Sequence, residues 1–145
     1  MARVLIVGCG CRGLALARSL RGDGHAVRGT TRRRDRAAEL RAAGVEAWVG
    51  DPDRVGSLVY AMDNVTTVCW LLGRVGGASL HGPRLKMMLE KTVDTTVRGF
   101  AYEPAAEPAL RASGLALLAE AAATWEIPTA TVEGDPRIAV DALIR

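Results

Sequence analysis

An α/β fold, a doubly wound parallel sheet with helices on both faces, is what this chain of 145 residues predicts, and three observations predict it. Short apolar, β-branched runs alternate with amphipathic stretches of helical period along the whole chain, the pattern of strands buried on both faces and of helices that cover them. Glycine or an Asp-Pro pair closes several of these segments, so the elements are separated by short turns. The first apolar run leads straight into Gly8, Gly10 and Gly13, spaced GxGxxG, and then into a helix, the order a βαβ unit requires.

The elements follow in order. Val4, Leu5, Ile6 and Val7 make the first strand, and Leu14, Leu16, Ala17 and Leu20 give the helix at residues 12–21 its apolar stripe. Residues 25–29 form the second strand. A helix at 36–43 ends on Gly44, and residues 45–49 form a third strand that runs into Gly50, Asp51 and Pro52. A helix is expected at 53–62. The run TTVCWLL at 66–72 suits a central parallel strand and ends at Gly73. Residues 73–82 are a flexible, glycine-rich stretch, after which Pro83 opens a helix to about Asp94. A fifth strand at 96–102, a linker at 104–108, an alanine-rich helix at 109–125, a sixth strand at 127–133 and a helix at 137–144 complete the chain. Six strands alternating with helices match the Rossmann fold with strand order 3-2-1-4-5-6, a single domain over 1–145. Nothing is left over for a substrate domain, so a second ligand is expected on the loops after strands four and five or against another subunit.

The glycine motif in this setting points to a small-molecule dinucleotide. The first glycine permits the tight turn, Gly10 lets backbone approach a pyrophosphate, and Gly13 allows the helix to pack on the strand. Phosphates would sit over Gly8, Cys9, Gly10, Cys11, Arg12 and Gly13, where the free N–H groups and positive dipole end of the helix point. The tip of the second strand says which dinucleotide. An NAD site usually carries Asp or Glu there for the ribose 2′-OH; this chain has Thr30 and Thr31, then Arg32, Arg33, Arg34 and Arg36. No carboxylate at the tip repels a 2′-phosphate, and guanidinium groups bind one bidentately, so NADP(H) is the expected cofactor, through Thr30, Thr31, Arg32 and Arg33. The competing reading is a solvated charged face partly neutralised by Asp35 and Glu39.

The formal net charge is only +3, and much of the arginine excess falls at that tip, so no basic stripe for nucleic acid is expected. Three cysteines do not make a disulfide framework, and a reducing compartment follows. With a first strand beginning by Arg3, no signal peptide is expected, and the cytoplasm is the expected location. The apolar run at 65–72 falls well short of the roughly 20 residues of a membrane span.

VLIVGCGCRGLALARSL, HAVRGTTR, GVEAWVGDPDR and VTTVCWLLG together resemble the cofactor half of the atypical short-chain dehydrogenase/reductases, relatives of the NAD(P)-dependent epimerases and dehydratases, over residues 3–73. The resemblance implies that Asp51 contacts the adenine and that Leu71, Leu72 and Gly73 line the nicotinamide ribose. Asp51 also suits a turn opener that caps the helix after it. The family's Tyr-x-x-x-Lys pair is missing: Tyr60 is followed four places on by Asn64, and Tyr102 by Ala106. In that pair the lysine lowers the tyrosine pKa for proton exchange with a carbonyl or alcohol.

Weaker candidates remain. Tyr102 and His81 are the acids nearest the expected nicotinamide end, with Lys86 and Lys91 comparable. Cys9 and Cys11 form C-x-C, but Cys69, His25 and His81 lack ligand spacing around them, so no metal is expected. Trp48, Trp70 and Trp125 are expected in the core. Leu115, Leu117, Leu118, Ala121 and Trp125 give the long helix an apolar surface that either covers the sheet or pairs with a second subunit. Two function classes stand: an atypical NADPH-dependent oxidoreductase without the usual dyad, and a non-enzymatic module that senses NADP(H) or serves a larger assembly.

Overall fold

In this computed structural model of the chain, residues 1–75 and 77–144 are described. Gly76, within the glycine-rich stretch, and Arg145, the last residue of the expected domain, lie outside them. Strands β1 (Arg3–Val7), β2 (Ala26–Thr31), β3 (Glu46–Val49), β4 (Thr67–Trp70), β5 (Gly99–Tyr102) and β6 (Thr129–Thr131) form one sheet in the order β3-β2-β1-β4-β5-β6. Every pairing is parallel, with Val4 opposite Val27 and Thr67, and Trp70 opposite Tyr102. The helices are α1 (Cys11–Gly22), α2 (Ala37–Ala42), α3 (Pro83–Thr92), α4 (Pro108–Trp125) and α5 (Pro136–Ile144).

Because successive side chains on a strand face opposite ways, the apolar runs feed two cores. Leu5, Val7, Val68, Trp70, Phe100 and Tyr102 pack with Leu85, Met88 and Leu118 of α3 and α4. Val4, Ile6, Cys69 and Ala101 pack with Leu14, Leu20, Leu40 and Val140 of α1, α2 and α5. Burial on both faces explains why these strands read as continuous rather than alternating hydrophobic segments.

Two expectations need correction. The helix at 53–62 is instead two 3-10 turns, Val55–Leu58 and Tyr60–Met62. Its buried residues Val55, Leu58 and Ala61 recur every third position, which suits the tighter 3-10 period. Ser57 and Arg28 divert its polar groups: the Ser57 hydroxyl donates toward the Arg54 carbonyl at 2.7 Å, and the buried Arg28 guanidinium donates to the carbonyls of Ala61 and Asp63 at 2.5 and 3.0 Å. Trp125 is 38% exposed on the last turn of α4 rather than in the core. Trp48 is half-buried on the edge strand β3, and of the three tryptophans only Trp70 is fully buried, its indole N–H donating to the Leu80 carbonyl at 3.0 Å. No helix among the described residues is long and apolar enough to cross a membrane.

Candidate functional site

The chain leaves β1 toward β2 on one side and returns at β4 on the other, so a crevice opens at the carboxyl ends of these strands. A cleft of about 400 Å³ lies there, lined by the glycine turn, the β2 tip, the loop after β3 and the segment after β4. Gly8 takes φ +89°, and a Cβ on it would fall 2.6 Å from Leu72 Cδ2 and 2.8 Å from the Leu71 carbonyl oxygen. That is a position only glycine fills without strain. The turn is stitched to β2: Gly8 N–H donates to Thr30 Oγ1 and Cys9 N–H to the Thr30 carbonyl, both at 3.2 Å. Gly13 packs tightly, its Cβ position 3.2 Å from the Gly8 carbonyl oxygen and 3.3 Å from Cys9 Sγ. Above Gly10, by contrast, a Cβ would meet nothing within 4 Å. No side chain caps the start of α1, so its first N–H groups are left for another acceptor.

At the β2 tip, the structure divides the predicted residues. Thr30 is buried, its hydroxyl engaged with the turn, whereas Thr31 Oγ1 accepts the Arg33 N–H at 3.1 Å. Arg33 is forked onto Asp35 at 3.1 and 2.6 Å, both exposed, and Arg36 reaches Glu39 at 3.3 Å. Arg32 lines the cleft, and among the described residues no ion pair engages it. Asp51 also lines the cleft, and its Oδ1 accepts the Asp53 N–H at 2.9 Å, the turn-capping arrangement the Asp-Pro pair suggested.

Leu72, Val75 and Leu80 form the apolar wall of the opposite end. Cys11, Arg12, Gly13, Leu71 and Gly73, expected at the cofactor, are not among the residues that line the cleft. Behind this end sits a cluster that sequence reading missed. Glu103, just past β5 and 7% exposed, accepts from Arg12 Nη1 and Nη2, each at 2.6 Å, and from the Gly73 N–H at 2.7 Å. The only signal was an acid following Phe100, Ala101 and Tyr102 in a buried strand, a place where a charge needs a partner; which partner, the chain order does not say.

Tyr102 and His81 come together, but not in the cleft. Both are buried in the core beneath it, with His81 Nδ1 and the Tyr102 hydroxyl 2.6 Å apart. Gly114 of α4 lies against that hydroxyl, where a Cβ would collide. Burial pushes the Tyr102 phenol up to about 12, the opposite of what a catalytic tyrosine needs. Burial also lowers the His81 pKa, against the Leu72 carbonyl and Glu103, which favour its protonated ring; His81 Nε2 has no hydrogen-bond partner. Burial raises the Cys9 thiol to about 11 and the Cys69 thiol to about 12, so both stay protonated. Among the described residues no three His, Cys, Asp or Glu side chains are grouped to hold a metal ion.

No protein-family model and no curated protein matches this sequence. Solved structures do resemble it in fold. Citrobacter sp. triphenylmethane reductase complexed with NADP(H) superposes with a TM-score of 0.72 at 22% identity, over 89% of this chain and 48% of that one. A short-chain dehydrogenase/reductase superfamily protein from Agrobacterium tumefaciens with bound NAD gives 0.71 at 18% identity, over 89% and 48%. A putative NAD-dependent epimerase/dehydratase from Bacillus halodurans gives 0.73 at 18% identity, over 92% and 70%. The chain thus has the Rossmann fold of these NAD(P)-binding proteins and spans about half the length of the first two.

Proposed function

We propose that the cleft binds NADP(H) and that the chain is the cofactor-binding part of an atypical short-chain, NADPH-dependent oxidoreductase. The observation that carries this reading is the open space above Gly10, facing an uncapped helix start and flanked by a strand tip that ends on Thr30 and Thr31 rather than a carboxylate, with Arg32 lining the cleft. A dinucleotide fits these residues. The N–H groups at Cys11, Arg12 and Gly13 hold the pyrophosphate; Arg32, with Arg33, Arg36 and Thr31, takes the 2′-phosphate; Asp51 faces the adenine. Thr30 acts indirectly, by fixing the glycine turn. Leu71, Leu72 and Gly73 border the nicotinamide ribose, and Leu72, Val75 and Leu80 keep water from that end. When bound, the cofactor supplies hydride. A reducing, cytoplasmic setting suits three free cysteines.

A second reading, a module that senses NADP(H) without catalysis, is favoured by one observation. No tyrosine, lysine or histidine is found among the cleft-lining residues, and the Tyr102 hydroxyl is turned into the core. The shared claim of both readings is tested by calorimetric titration with NADPH and NADH. Wild type should prefer NADPH, and Arg32→Ala combined with Arg33→Ala should weaken NADPH binding roughly 10- to 100-fold, the effect of losing a charge-assisted hydrogen bond of about 1.5 to 3 kcal/mol. NADH binding should barely move. A double variant that keeps the wild-type preference overturns the assignment of the phosphate site.

A further inference from the structure

We infer that Glu103 is a positioning residue for the nicotinamide half of the cleft, acting through Arg12 and Gly73; the inference rests on the dinucleotide reading above. Its carboxylate joins three segments distant in sequence: the first turn of α1, the exit of β4 and the exit of β5. It accepts three short bonds, two from the Arg12 fork and one from the Gly73 N–H. Charge-assisted, bidentate pairs of this kind specify geometry as well as contributing energy.

The backbone of Gly73 is pressed onto this carboxylate. A Cβ at Gly73 would lie 2.5 Å from Glu103 Cγ and 2.6 Å from the Pro104 carbonyl oxygen. The exit of β4 therefore has no freedom to move toward β5 while Glu103 is in place. Leu72, its immediate neighbour, forms both the wall of the cleft and the surface against which Gly8 turns. Through this contact Glu103 bears on the wall of the cleft, and among the described residues its carboxylate makes hydrogen bonds to Arg12 and Gly73 and none to the β2 tip or the loop after β3.

That placement makes a prediction opposite in sign to simple electrostatics. Removing the Glu103 charge leaves Arg12 as an uncompensated cation at the helix start, which by charge alone should strengthen binding of any phosphate. Positioning instead predicts weaker binding, confined to the ligand half that leans on the β4 exit. The experiment compares NADPH with 2′,5′-ADP, which carries the adenosine end and its phosphates but no nicotinamide. Both are titrated calorimetrically against the full chain, wild type and Glu103→Gln, with Glu103→Asp as a second variant that retains the charge but shortens its reach to Arg12 and Gly73.

Glu103→Gln should bind NADPH roughly tenfold more weakly while 2′,5′-ADP is held as in wild type. Glu103→Asp should show the same selective loss, and it carries the test alone if Glu103→Gln does not fold. Tighter binding of both ligands, equal weakening of both, or unchanged NADPH affinity with a lowered Tm would each overturn the proposal. Wild-type protein that binds neither ligand refutes the dinucleotide reading itself, a different outcome from any of these.

Discussion

Gly8 and Gly10 stand two residues apart in one turn, and substituting them should have opposite consequences. At Gly8 an alanine is forced into φ +89°, which costs about 1 to 2 kcal/mol for an L-residue. Its Cβ also meets the Leu71 carbonyl oxygen at 2.8 Å, backbone that has no rotamer to escape into, adding about 1 to 3 kcal/mol. At about 2 to 4 °C per kcal/mol for a chain of this size, the combined cost of about 2 to 5 kcal/mol should make Gly8→Ala melt roughly 4 to 20 °C below wild type. At Gly10 the backbone has φ −86° and a Cβ meets nothing within 4 Å, so Gly10→Val should change stability by no more than about 1 kcal/mol. Its isopropyl group fills the space assigned to the pyrophosphate, and NADPH affinity should fall at least about 100-fold. Thermal melts and calorimetry on the two variants separate the roles. A Gly10→Val protein with native Tm and unchanged NADPH affinity refutes the phosphate assignment, and a Gly8→Ala protein with native Tm refutes the strain argument.

Tyr102→Phe removes the hydroxyl that lies 2.6 Å from Nδ1 of the buried His81 and should destabilise the chain by about 1 to 3 kcal/mol, measured by urea unfolding. In an NADPH-oxidation assay with aldehydes and ketones, both wild type and Tyr102→Phe should be inactive, because hydride transfer creates an alkoxide and no tyrosine, lysine or histidine lines the cleft among the described residues to protonate it. Wild-type turnover lost in Tyr102→Phe would identify the acid denied here. Turnover only with quinone or flavin acceptors would instead support a reductase that draws its proton from solvent. His81 titrates lower in the folded chain than its ordinary 6.5, so between the two values the unfolded chain binds more protons than the folded one. Stability should therefore be full above about pH 6.5 and decline as the pH falls through the folded value; His81→Asn should flatten this part of the profile, and a wild-type profile identical to that of the variant would exclude the effect.

The order of elements was legible because hydrophobic period and glycine spacing are local properties. A run such as Val4 to Val7 flanked by GxGxxG specifies strand, turn and helix whatever surrounds it, and alternation of strands with helices leaves a parallel, doubly wound sheet as the compact solution. The arginine-bearing tip was equally readable, since it needs only residue type at a known offset from the glycines. The segment at 53–62 was misread because its helix-like composition competes with contacts from Arg28, a residue of β2 brought there by the fold. Which tip arginine stays out of an ion pair was likewise hidden: Arg33 and Arg32 look alike in sequence and differ in that the Asp35 carboxylate engages Arg33.

The side-chain pairings behind the Leu72 wall of the cleft belong to tertiary structure alone. Sequence brought forward Tyr102 and His81 separately, as the acids nearest a predicted loop. Strand alternation then turns Tyr102 toward α4 and Glu103 toward α1, so the tyrosine meets His81 inside one core and the glutamate meets Arg12 across the other side of the sheet. By itself, the sequence determined an α/β fold with a glycine turn and a cationic β2 tip. Only the packed sheet decided which polar side chains are consumed in the interior and which face the cleft, because hydrogen-bond partners 21 to 91 residues apart are set by the register of parallel strands and not by any local preference of the chain.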